Sequence, residues 1–69
     1  MRYKAKLIAD ELEKETDLKL EEGSRNFHLA IPDFSEEVYS EIVRRYRIVQ
    51  WNEISFTEKS TGYYLITLS

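Results

Sequence analysis

The chain has 69 residues, a net charge of −3, no cysteine and a single histidine. Those counts exclude disulfides, thiolate metal sites and a zinc site built from histidines. They fit one domain over residues 1–69, too small to bury more than about 60% of its surface, so its stability rests on a well-packed core or on self-association.

Hydrophobic residues are 42% of the chain and aromatic ones 13%, with two Gly and one Pro, a composition of folded rather than disordered chains. The N-terminal run MRYKAKLIADELEKE has no export signal, and no stretch approaches the roughly 20 apolar residues of a membrane span. The expected location is the cytoplasm.

Residues 2–16 predict a helix, with Tyr3, Leu7, Ile8 and Leu12 at helical spacing and Lys, Asp or Glu at most other positions. Lys6 and Asp10, and Asp10 and Lys14, lie four apart, where ion pairs add a few tenths of a kcal/mol. Thr16 and Asp17 are weak helix formers and mark the expected end. Leu18-Lys19-Leu20 suggests a short strand, with Gly23 in the turn that follows. Residues 26–31 alternate cleanly: Phe27, Leu29 and Ile31 point one way, and Asn26, His28 and Ala30 the other.

Pro32 ends that strand, because it has no N–H for a ladder. Ser35 then suits the N-cap of a second helix, Glu36 and Glu37 match its positive first turn, and Phe34 can staple onto Tyr39. Val38, Ile42 and Tyr46 form its apolar stripe, widened by Tyr39 and Val43. Arg44, Arg45 and Arg47 fall where cations complement the macrodipole. Residues 48–57 and 63–68 are rich in β-branched and aromatic residues and predict a hairpin, with Gly62 as the left-handed turn position.

The expected fold class is α+β: a two-layer sandwich, two helices on one face of a small, mostly antiparallel sheet, in the order α-(β)-β-α-β-β. A sheet covered on one side should be polar on the other. In the C-terminal hairpin both parities are apolar. Ile48, Ile54, Phe56, Tyr64, Ile66 and Leu68 can meet the helices, which leaves Val49, Trp51, Tyr63 and Leu65 facing outward, with His28 nearby. Such a patch marks a binding surface, with a second copy or another protein as the expected partner. A bulge at Asn52-Glu53 would instead return Trp51 to the core.

Chemistry finds little footing. His28 is the sole imidazole, no Gly-x-Ser-x-Gly elbow accompanies it, and Gly23 and Gly62 build no phosphate loop. The carboxylates of the first helix read as a solvated face. No enzyme activity, cofactor, metal or small-molecule substrate is expected. The alternative to protein binding is a nucleic-acid interface of Arg44, Arg45, Arg47 and the sheet aromatics, opposed by the acidic net charge and by the absence of an RNA-recognition signature.

Ile31-Pro32-Asp33-Phe34-Ser35-Glu36-Glu37-Val38, Tyr46-Arg47-Ile48 and Tyr63-Tyr64-Leu65-Ile66 together resemble small proteins of tailed phages. The resemblance implies a phage or prophage accessory protein that binds and modulates a host or phage protein. Arg47 stands where those proteins often carry Gly, and no functional residue transfers.

Overall fold

The computed structural model describes residues 2–69. In chain order they form α1 (Tyr3–Glu21), β1 (Asn26–Ala30), α2 (Glu36–Ile48), β2 (Ile54–Ser60) and β3 (Tyr63–Leu68). The fold is the expected small α+β class. The two helices pack together, and the three strands form one antiparallel sheet in the order β1-β3-β2.

α1 is longer than its sequence suggests. Ala5, Ala9, Leu12 and Thr16 are buried at helical spacing, and the helix runs on to Glu21. The proposed break at Thr16-Asp17 and the short strand at Leu18–Leu20 are therefore both corrected. The physical reason is tertiary. The Tyr46 phenol of α2 donates to Asp17 Oδ1 at 2.7 Å and lies 3.2 Å from the Glu13 carbonyl, which pins the turn that weak propensity would loosen. Leu20 packs against the core, while Leu18 stays 54% exposed. Gly23 is the helix stop rather than a turn between strands. At φ 92° its N–H donates to the Leu20 carbonyl and the Ser24 N–H to the Lys19 carbonyl, both at 3.0 Å.

Thr16 is fully buried beside the Tyr46 phenol, and among the described residues its Oγ1 has no hydrogen-bond partner of good geometry. An orphaned buried hydroxyl costs about 1–3 kcal/mol. Thr16→Val keeps the shape and removes the orphan, so urea denaturation should show a gain of about 1 kcal/mol. A loss of that size would mean that the hydroxyl is satisfied.

α2 begins as its sequence dictates. Ser35 Oγ accepts from the Val38 N–H at 3.3 Å, and Phe34 meets Tyr39 edge-on at 6.4 Å between ring centroids. Val38, Ile42 and Tyr46 are buried. The end differs from expectation. Ile48 is the last helical residue, Val49 is the C-cap and Gln50 turns away at φ 74°. The Trp51 N–H donates back to the Tyr46 carbonyl at 3.0 Å. The strand expected over 48–57 thus starts at Ile54, and the break in parity comes from a helix end, not from a bulge at Asn52-Glu53. The β propensity of Ile48, Val49 and Trp51 yields here to the hydrogen bonds that close the helix end.

The strands alternate as expected. Phe27, Ile66 and Phe56 are paired across the sheet and face the helices; His28, Leu65 and Thr57 form the next row and face away. The Leu68 N–H donates to the Arg25 carbonyl, and the Ile31 N–H to the Gly62 carbonyl. Odd-numbered residues of β1 therefore turn their backbone groups toward β3, and Asn26, His28 and Ala30 turn theirs to the open edge. By the same alternation the opposite edge presents the backbone groups of Ile54, Phe56 and Glu58. Gly62, at φ 74°, closes the hairpin in the expected left-handed conformation.

Candidate protein-binding surface

Three of the residues proposed for the outer face come together there. His28 and Leu65 are cross-strand partners, and the His28 ring stacks on Tyr63 at 5.5 Å with 9° between planes. Tyr63 is 43% exposed. Around them lie Ala30 and the polar Asn26, Ser55, Thr57 and Thr67, so the apolar centre is small and most of its surround polar.

Val49 and Trp51 do not join them on a strand. Both lie in the α2–β2 connection, where strand parity has no meaning. Val49 is 63% exposed at the helix end. Trp51 is half-buried, packs against the core, and carries the Arg25 guanidinium 5.1 Å from its ring centroid.

A larger aromatic group stands along the α2–β2 edge. The Phe34 ring lies 4.8 Å from Tyr64 and 5.0 Å from Phe56, and Tyr39 meets Phe56 at 5.7 Å. These pairs fall within the range of favourable aromatic geometry. None of the four rings is fully buried. Burial, then the Glu58 carboxylate, raises the pKa of the Tyr64 hydroxyl. Beside Tyr39, the open face of α2 carries Val43, Arg44, Arg47 and Ile48. Sequence reading assigned Phe56 and Tyr64 to the core and Phe34 and Tyr39 to a helix staple. The signal it left unused was that two aromatics from the cap and two from the hairpin exceed what one small core encloses.

The three arginines have different fates. Arg45 donates to Asp10 at 2.9 Å, Glu13 at 2.8 Å and Glu41 at 2.7 Å, and its side chain is only 16% exposed. It ties α2 to α1. Arg44 pairs with Glu41 on its own helix. Hydrogen bonds from Arg44, then Arg45, pull Glu41 down to about 2. Arg47 makes no salt bridge among the described residues. The proposed nucleic-acid cluster thus holds one uncommitted cation and two that are matched by carboxylates.

Among the described residues no group of three or more His, Cys, Asp and Glu side chains could hold a metal ion. No helix among them is long and apolar enough to cross a membrane. No family model matches the chain, and no curated protein or solved structure is significantly similar to it.

Proposed function

We propose that the chain is a small non-enzymatic protein-interaction module that takes an extended segment of its partner along the α2–β2 edge. One observation carries this reading: four aromatic rings, none fully buried, stand beside a sheet edge whose backbone groups at Ile54, Phe56 and Glu58 are unpaired. An added strand gains main-chain hydrogen bonds from such an edge, and pockets for alternate side chains supply selectivity. Tyr39, Val43 and Phe56 offer the apolar contact, and Arg47 favours an acidic residue next to it. The resemblance to phage proteins makes a host or phage protein the partner to try first.

The test selects binders from a displayed random-peptide library. Wild type should enrich extended peptides with apolar residues at every second position, and their amide shift changes should map to β2 and α2. Tyr39→Asp should weaken them at least about tenfold, roughly the loss of one interface anchor, with an unchanged far-UV circular dichroism spectrum. Binders that are indifferent to Tyr39→Asp, or that map elsewhere, would overturn the reading.

The outer face supports a second reading, favoured by the His28–Tyr63 stack beside Leu65. There the same selection would map to β1 and β3. A nucleic-acid role has less to draw on, since two of its three arginines already face carboxylates.

A further inference from the structure

We propose that β1 is the seam of a two-fold homodimer, in which the two sheets join into one of six strands with His28 on the symmetry axis. This rests on the β1 edge alone and is independent of the reading of the α2–β2 edge.

The two open edges are not alike. β2 carries a register shift between Glu58 and Ser60, together with the charges of Glu58 and Lys59. Bulges and edge charges are the usual means of blocking the pairing of one whole sheet edge with another, so β2 keeps only its regular start, from Ile54 to Phe56, for a short partner segment. β1 has neither. Its five residues, NFHLA, are regular and include no Asp, Glu, Lys or Arg, and Asn26, His28 and Ala30 are exposed.

Hydrogen bonding selects both the partner and the register. Only the even-numbered residues of β1 present backbone groups to the edge, so an antiparallel second copy must pair even with even. The fullest such register is centred on His28. It sets His28 against His28 of the second copy and Asn26 against Ala30, and it uses every open group of the strand. Phe27 then faces Leu29 of the second copy on the helix side, where side chains of a non-hydrogen-bonded pair are closest. Leu29 is only half-buried in the single chain, so this contact covers apolar surface still open to water.

Charge agrees. A cleft of about 120 Å³ between α1 and the end of β1 is lined by Ile8, Glu11, Leu12, Glu15, Ala30, Ile31 and Pro32. In the His28-centred register Ile31 lies opposite Arg25 of the second copy. Arg25 shares the helix-side parity, so moving its guanidinium off the Trp51 ring places a cation beside Glu11 and Glu15, twice by symmetry. An isologous contact of this kind closes on itself. It also supplies the additional burial that a 69-residue chain needs.

Light scattering on the intact chain at submillimolar concentration should give twice the chain mass. Hydrogen exchange should slow by at least about tenfold at the N–H groups of Asn26, His28 and Ala30 on going from dilute to concentrated protein. Those of Ile54, Phe56 and Glu58 should stay fast. His28→Lys and His28→Glu should each be monomeric, because like charges meet on the axis. Mixing the two should restore a dimer. A monomeric wild type, a dimer without new protection on β1, or charge variants that dimerise separately would each overturn the proposal. A monomeric wild type would leave the α2–β2 edge reading untouched, and peptide selection tests that reading separately. Exchange on the wild type decides the matter even if a charge variant fails to fold.

Discussion

Ile66→Ala is expected to leave the protein largely unfolded at physiological temperature. Ile66 is fully buried at the middle of the central strand, between Phe27 and Phe56 and beneath the helices. Truncating a buried isoleucine costs about 2–5 kcal/mol, as lost transfer energy plus the cavity left behind. A domain of this length has a total stability of about 3–10 kcal/mol at the usual stability per residue, and a single core this small rarely supplies more than about 3–5 kcal/mol. Thr67→Ala, one position along and on the outer face, should change stability by no more than about 0.5 kcal/mol. Urea titrations followed by Trp51 fluorescence and circular dichroism measure both. Equal effects at 66 and 67 would mean that strand alternation does not define the core.

Arg45→Met should lower the thermal midpoint by on the order of 10 °C, a large shift for a domain of this size. The guanidinium holds together Asp10 and Glu13 of α1 and Glu41 of α2, and removing it leaves three carboxylates facing one another. A change below about 2 °C would make the cluster an exposed ion pair of little consequence. The same cluster predicts acid sensitivity. Hydrogen bonds from Arg44, then Arg45, hold Glu41 at about 2 against an ordinary 4.5. Asp10 is lowered as well, first by Lys6 and then by Arg45. A carboxylate depressed in the folded state stabilises above its unfolded value and loses that contribution as pH falls toward its folded value. Urea midpoints should therefore be flat from neutral pH down to about 5 and then decline toward pH 2. In the Arg44→Met/Arg45→Met double variant the decline should be shallower. An unchanged decline would place the acid sensitivity elsewhere.

This dependence explains why the two helices are found together. In sequence the three arginines read as a C-terminal dipole complement and a nucleic-acid cluster. In space Arg45 reaches α1, 32 and 35 residues away at Glu13 and Asp10. Helical periodicity places a charge on a face but does not say which other face it meets.

The elements that were legible are those with local causes. Ser35, Glu36 and Glu37 start α2 by capping and dipole chemistry that acts within one turn. Strict alternation sets β1, β-branched and aromatic residues set β3, and Gly62 sets the turn between β2 and β3. The α+β class and the inward-facing residues follow from these. Both errors lie at element ends, where local preferences are nearly balanced. Thr16-Asp17 and Leu18–Leu20 could frayed or paired equally well until Tyr46 and the core drew them into α1. Ile48–Trp51 had strand propensity, yet completed helical bonds and the turn at Gln50 claimed it.

The candidate surface moved for the same reason. Tyr63, Leu65 and His28 stayed on the outer face, because alternation holds inside a strand. Val49 and Trp51 left it, because alternation ends where the strand does. By itself the sequence determined periodicity, caps and the turn, which are interactions within a few residues. Which edge stays open, which rings gather at it and which carboxylates Arg45 meets were decided only by tertiary packing, since these contacts join residues distant along the chain and depend on how helix and sheet are placed together.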